Sequence, residues 1–214
     1  MEEKINEALK SALERAPERK FTESVELAFT LKDVDLKIPT NRVQEEIRLP
    51  HGRGKEIKIA MFAAGELATK ARKGEIHIID PSTIEDLGGN KSSAKKLANK
   101  YDYFLSEVPH MGLVGRYLGV VLGPRGKMPR PVPPTVDPSM MAAGLKNTVV
   151  VRSRDKMTFH VAIGTRTQSE EHLMENVMTV YNRVTSKLER GIGNIRSLYI
   201  KTSMGPAIQV EVIN

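Results

Sequence analysis

Over the first fifteen residues Ile5, Leu9, Ala12 and Leu13 recur at helical spacing, with charges on the other face. The pattern predicts an amphipathic helix, and Pro17 ends it. The period then becomes two: Val25, Leu27, Phe29 and Leu31 alternate with Glu26, Ala28 and Thr30, and Val43, Ile47 and Leu49 share one face of a second run. Both read as strands with one face toward water. KDVDLKIPTN, between them, carries the Asp, Pro, Thr and Asn of a loop.

After LPHGRGK the pattern changes to nearly continuous apolar runs, IKIAMFAA (57–64), IHIID (76–80) and YDYFL (101–105), separated by the helical stretch GELATKARKG and a polar helical stretch from Ser82 to Lys100. Buried strands alternating with helices predict a parallel sheet covered on both faces. A further helix follows Pro109, then the Pro-rich basic stretch LGPRGKMPRPVPPTV (122–136) and a short helix ending near Lys146. Alternation returns at Thr148: Val149 and Val151 lead through RSRDK into Phe159, Val161 and Ile163. A long amphipathic helix over 169–190 buries Leu173, Val177, Val180, Tyr181, Val184 and Leu188 and stops at GIGN. SLYIKTSM and PAIQVEVI then read as two strands joined near Gly205.

The fold class expected is α+β in two domains. A split α+β domain is made from 1–53 and 147–214, and an α/β, Rossmann-like domain with a parallel sheet is inserted over 54–146. Two short connections side by side suggest a hinge, and relative motion is the default for such domains. The chain shows neither an internal repeat nor a low-complexity tract, which removes solenoid readings.

Composition narrows the chemistry. The chain has 214 residues, enough to bury roughly 70% of its unfolded surface without a staple. Zero cysteines exclude a disulfide framework, a thiol nucleophile and a cysteine zinc site, which makes reducing cytoplasm the expected location. No apolar run approaches the roughly 20 residues of a membrane span, and the charged start MEEKINEALK lacks a signal core. The net charge of +7 is concentrated: residues 88–130 hold eight basic and two acidic side chains. That clustering favours a phosphate-binding surface over a merely solvated helix face.

Catalytic patterns fail one by one. The two Gly-Lys pairs, Gly126-Lys127 and Gly54-Lys55, continue with Met128 and Glu56 where a P-loop needs Ser or Thr, and Val121 and Leu49 stand in place of its first glycine. GIGNIR follows a helix and lacks the third glycine of a dinucleotide fingerprint. The five histidines form no i, i+4 pair and no HExxH, so neither a metal nor a cofactor is expected. Lys37 spoils the calcium-loop start at Asp33-Val-Asp35, and no G-x-S-x-G elbow occurs. The pairs Glu45–Glu46 and Glu170–Glu171 are sequence neighbours whose geometry suits a strand and a helix start rather than acid–base work.

Nucleic acid remains. With no tryptophan and few aromatics, a base-stacking platform is not expected. Glycines beside Arg and Lys in HGRGK and LGPRGKMPRP let amides and guanidiniums approach phosphates closely. Ser203-Met204-Gly205 offers a hydroxyl, bare backbone and a flat thioether, suited to the shallow, 2′-hydroxyl-lined groove of folded RNA.

FTESVEL, LPHGRGK, LGPRGKMPRP and YIKTSMGPA occur in the order and spacing of the ribosomal protein L-one family, the mobile-stalk protein of the large ribosomal subunit. The resemblance runs from about Phe21 to Val210, and LGPRGKMPRPVP resembles the archaeal branch. It implies the two-domain fold, with the main rRNA site on the split domain at Lys20, Phe21, Ser24, Glu26, Ser203, Met204 and Gly205, and His160 as a looser match. Many relatives carry Thr where Ser203 stands. By residue type, the Ser203 and Ser24 hydroxyls would meet ribose or base edges, Met204 and Phe21 would pack on sugars, and Lys20 would meet phosphate. Glu26 would accept from a 2′-hydroxyl or a guanine amino group, or pair with a basic neighbour. The resemblance further implies a second rRNA segment or exiting tRNA at Arg125, Lys127 and Arg130, other ribosomal components as neighbours, repression of the protein's own mRNA, and a free monomer away from membranes. Two rivals from other classes are a nucleotide-dependent α/β enzyme and general nucleic-acid binding through the basic loop alone.

Overall fold

A computed structural model describes residues 1–211, and the last two residues of the predicted strand PAIQVEVI lie outside them. The chain divides into two compact units, Met1–Lys55 with the chain from Asn147 onward, and Glu56–Lys146. Mixed helices and strands with both antiparallel and parallel sheets give the α+β class that the hydrophobic pattern predicts.

The first unit opens with α1 (Glu2–Glu14), then β1 (Ser24–Leu31) and β2 (Gln44–Arg48). After the other unit it continues with β7 (Thr148–Arg152), β8 (Thr158–Thr165), α7 (Glu170–Lys187), β9 (Ile195–Thr202) and β10 (Ile208–Val210). Four strands form an antiparallel sheet in the order β10-β9-β1-β8, and β2 and β7 form a separate pair. The period of two makes this sheet two-faced. Val25, Leu27, Phe29 and Leu31 are all 3% exposed or less and meet α1 and α7 in one core. Phe29 stacks on Phe159 across the β1–β8 pair with ring centroids 5.3 Å apart. The alternate positions of β1 remain half-buried on the other face. The start of α7 is fixed by Ser169, whose hydroxyl accepts from the His172 amide.

The second unit contains β3 (Ile59–Phe62), α2 (Gly65–Lys73), β4 (His77–Ile79), α3 (Ile84–Gly89), α4 (Lys91–Lys100), β5 (Tyr103–Glu107), α5 (Met111–Arg125), β6 (Arg130–Val132) and α6 (Pro138–Lys146). Its sheet, β4-β3-β5-β6, is parallel throughout. Ala60 and Phe62 point into one core with α3, α4 and α5, and Ile59 and Met61 into another with α2 and α6. Burial on both faces explains why these strands read as unbroken apolar runs.

Three local readings differ. The polar stretch 82–100 is two helices, because Gly88-Gly89 loosens the first and Asn90 caps the second, its Oδ1 accepting from the Ser92 and Ser93 amides. The third strand begins two residues later than YDYFL suggests, since Tyr101 still donates to Leu97 of α4 and Asp102 brackets Lys58. The Pro-rich stretch contains the end of α5 and the edge strand β6, where Pro131 is tolerated because an edge strand leaves one side unpaired.

Candidate nucleic-acid interface

The site grows from strand pairing. Because β1 and β9 are antiparallel, the start of one adjoins the end of the other, and Val25 lies opposite Thr202. The Ser203 amide donates to the Ser24 carbonyl at 3.0 Å. The Ser203 hydroxyl accepts from the Ser24 amide at 3.2 Å and donates to the Ser24 carbonyl at 3.3 Å. Much of that hydroxyl's capacity is therefore spent closing the strand ends, which leaves one lone pair for a ligand. The sequence brings Ser24, Ser203, Met204 and Gly205 together as four residues of a single edge.

Glu23, unremarked in the sequence, is the clamp. It is 1% exposed, and its Oε1 accepts from the Met204 amide at 2.9 Å. Its Oε2 lies 3.9 Å from Arg166 Nη1. Arg166 also donates to the Pro17 carbonyl at 3.1 Å, and its amide to the Glu23 carbonyl at 3.0 Å, so the chain after α1, the entry to β1, the exit from β8 and the turn are tied at one point. A buried acid immediately before β1 was invisible to pattern reading, because its partners come from residues 166 and 204.

This clamp holds the turn while its apolar side chains face outward: Met204 is 62% exposed and Phe21 55%. Exposed apolar side chains are ordinary on a surface, Met140 and Val120 being more exposed still, and what sets Met204 apart is the buried carboxylate that holds its backbone. Gly205 is needed for space: a Cβ there would lie 2.3 Å from Thr202 Oγ1 and 3.3 Å from Ala16 Cβ. Lys20 is exposed and borders an open groove of about 480 Å³ with Arg19, Phe21, Glu23 and Arg166. Glu26 lies opposite Lys201 on β9, so its charge has a cation as cross-strand neighbour, and exposed His160 lies opposite Ala28 on β8.

The second unit holds the other three predicted contacts in three different states. Arg125 is exposed at the end of α5, one guanidinium nitrogen donating to the Val121 carbonyl at 3.0 Å. Gly126 then takes φ +67° and turns the chain. This aims Lys127 inward: its ammonium donates to the Ala98 and Tyr101 carbonyls at 2.8 and 2.7 Å, capping the end of α4. The Arg130 guanidinium lies over the Tyr103 ring, 5.8 Å from its centroid. Lys91, Lys95, Lys96 and Lys100 of α4 are exposed.

The place where such a sheet would take a nucleotide is filled by the chain itself. In the order β4-β3-β5-β6 the topological switch lies at the ends of β3 and β5, where doubly wound folds hold their ligands. There the Ala64 amide at the start of α2 donates to Glu107 Oε1 at 3.0 Å, and His110 Nε2 lies 3.4 Å from Glu107 Oε2. A carboxylate already occupies the position a phosphate would need. Among the described residues no group of His, Cys, Asp and Glu is placed to hold a metal ion, and no helix is long and apolar enough to cross a membrane.

Comparison with known proteins identifies the family. Residues 9–206 match the model of the Ribosomal protein L1p/L10e family. The chain is 49% identical over 207 residues to the large ribosomal subunit protein uL1 of Thermoplasma acidophilum, covering 97% of this chain and 95% of that one. It is 48% identical over 212 residues to uL1 of Pyrococcus horikoshii, covering 98% and 96%. Against uL1 of Methanothrix thermoacetophila it is 47% identical over 211 residues, covering 98% and 100%. Matched by the family model over residues 9–206 and 47–49% identical to archaeal relatives over nearly its whole length, this chain belongs to the Ribosomal protein L1p/L10e family, structural proteins of the large ribosomal subunit.

Proposed function

We propose that this protein binds a preshaped rRNA element of the mobile stalk, near the tRNA exit site, through the edge formed by Lys20, Phe21, Ser24, Glu26, Ser203, Met204 and Gly205, with His160 beside it. The observation that carries the reading is the Met204–Gly205 turn, held from beneath by buried Glu23 while Met204 and Phe21 stand in solvent. A rigid, shallow, half-apolar edge suits the wide minor groove of A-form RNA, which shows ribose hydroxyls and base edges and cannot be entered deeply. Lys20, with Arg19 beside it on the adjoining groove, supplies phosphate contacts, which position without specifying.

The inserted unit touches a second rRNA segment or the departing tRNA through Arg125 and Arg130, while Lys127 serves by fixing the loop that carries them. The free protein is a cytoplasmic monomer that represses translation of its own mRNA by binding a copy of the rRNA site.

Affinity for a stalk-type rRNA hairpin, measured across a salt series, tests this. A falling log K with log salt is expected, with the hairpin preferred about 10³-fold over random duplex. Equal affinity for both, or no response to salt, overturns it. Met204→Ala and Ser203→Ala are expected to weaken hairpin binding; if they do not, the contact lies on the basic loop instead. A reporter fused to the protein's own leader, titrated with hairpin competitor, tests repression.

A further inference from the structure

One face of the antiparallel sheet is left uncovered by every element of its unit among the described residues. The register puts these outward positions in rows. Ser24 adjoins Ser203 at the turn; Ala162, Glu26 and Lys201 form the next row; His160, Ala28, Tyr199 and Gln209 the next; Thr158, Thr30 and Ser197 the last. Each is half-buried or exposed, whereas inward Val25, Leu27, Phe29, Val161 and Ile200 are buried.

We infer that Tyr199, on this face one row beyond Glu26 and Lys201, is a platform on which an unpaired base of the bound RNA stacks, a single ring where the aromatic-poor composition predicts no stacking platform. The inference rests on the function proposed above and extends it to Tyr199 and Lys201, which that reading does not use. Ala28 lies between Tyr199 and His160, so two flat rings flank a low saddle, their strands about 10 Å apart at two strand spacings. Lys201 stands one row closer to the turn, opposite Glu26, on the side from which a backbone leaving Met204 would arrive. The remaining outward groups are hydroxyls and an amide, donors and acceptors for ribose, with Thr30 and Thr158 3.4 Å apart. None of these positions is Val, Leu, Ile, Met or Phe, so the face lacks the aliphatic centre that a stable protein interface needs. Continuity with the turn and a ring beside a cation fit a looped-out nucleotide of the same RNA.

The test uses the full chain and the stalk-type hairpin with its adjoining loop. Tyr199→Ala is expected to weaken binding roughly five- to hundredfold, the range for losing one stacked base, and Tyr199→Phe to recover most of that loss. Because the chain has no tryptophan, Tyr199→Trp adds a single reporter whose emission is expected to be quenched as RNA saturates it. This readout survives if the alanine variant is poorly folded. Unchanged emission at saturation overturns the inference, and emission that shifts only with large-subunit proteins assigns the face to a protein neighbour. If Met204→Ala abolishes binding while Tyr199→Ala has no effect, the platform fails and the turn stands; if neither weakens binding, the proposed function fails as well.

Discussion

The inserted unit covers its four-stranded parallel sheet on both faces, whereas the outer unit covers its antiparallel sheet on one. The difference follows from connectivity. Parallel strands need crossover helices, and here α2 and α6 land on one face and α3, α4 and α5 on the other, while both helices of the antiparallel sheet, α1 and α7, pack on the same face and leave the other free. A free face with an exposed turn can meet a large, shallow partner. A doubly covered sheet can hold a ligand only at its switch point, and here Glu107 fills that point. Recognition is therefore expected from the outer unit, and the inserted unit is expected to contribute loop cations.

Core truncations break this comparison most directly. Phe29 in the outer unit and Phe62 in the inserted one are both fully buried and ring-stacked, on Phe159 and Phe104. Replacing either by Ala is expected to destabilise its own unit by about 3–5 kcal/mol in urea unfolding. Only Phe29→Ala is expected to weaken hairpin RNA binding as well. A Phe62→Ala variant with severely reduced RNA affinity under native conditions would contradict the division of labour.

Glu23 sharpens it. Removing a buried charged acceptor leaves the Met204 amide unpaired and loosens Arg166, so Glu23→Ala is expected to lower stability by about 2–3 kcal/mol. It should also reduce RNA affinity by more than its stability loss would at a concentration where the variant is folded. Binding measured at low temperature, where the folded fraction is near one, separates the two effects. Full affinity there would show that the turn keeps its shape without the clamp.

The outer unit's α1, β1 and α7 were legible because one-sided burial writes a period into the sequence, 3.6 for Ile5, Leu9 and Ala12 and 2 for Val25, Leu27 and Phe29. The inserted strands were legible as runs, but β6 was not: three residues including a proline carry no pattern, and only pairing with β5 defines them. At the candidate site the motif pointed to Met204, Gly205 and Phe21, and the fold places Ser24 beside the turn. Glu23 and Asn176 were missed. Asn176 is fully buried and donates to the Gly52 and Ile163 carbonyls while accepting from the His51 amide, holding the connection after β2. A polar residue on an otherwise apolar helical stripe was the signal available for it. Lys127 shows what charge counting leaves open, since it cannot distinguish a cation facing solvent from one capping α4.

That pair of cations gives the next prediction. Lys127→Met removes two charge-assisted hydrogen bonds from half-buried carbonyls and is expected to destabilise the inserted unit by about 1–2 kcal/mol. Arg125→Met, at an exposed side chain, is expected to leave stability within about 0.5 kcal/mol. It should instead flatten the salt dependence of RNA binding by about one phosphate contact if Arg125 touches the backbone. A salt slope unchanged by Arg125→Met removes the inserted unit's contact from the proposal.

The smallest effect concerns pH and is confined to the inserted unit. His77 sits on the edge strand β4, its ring stacked on Tyr101 with centroids 5.1 Å apart. Loss of hydration lowers its pKa below the ordinary histidine value, and the nearby Lys100 ammonium adds to the effect. A depressed folded pKa means that the unfolded chain takes up the proton first. The contribution of His77 to stability is therefore fully present above the unfolded value near 6.5 and is lost as pH falls through it and then through the folded pKa. Urea midpoints of the inserted unit are expected to drop between pH 7.5 and 5.5 by more than those of a His77→Gln variant, which cannot titrate. Hairpin affinity should show no corresponding difference between the two proteins, because His77 belongs to the unit to which the proposal does not assign the main site. If His77→Gln changes the pH profile of RNA binding but not that of unfolding, the covered sheet takes part in recognition and the contrast between the two units is wrong.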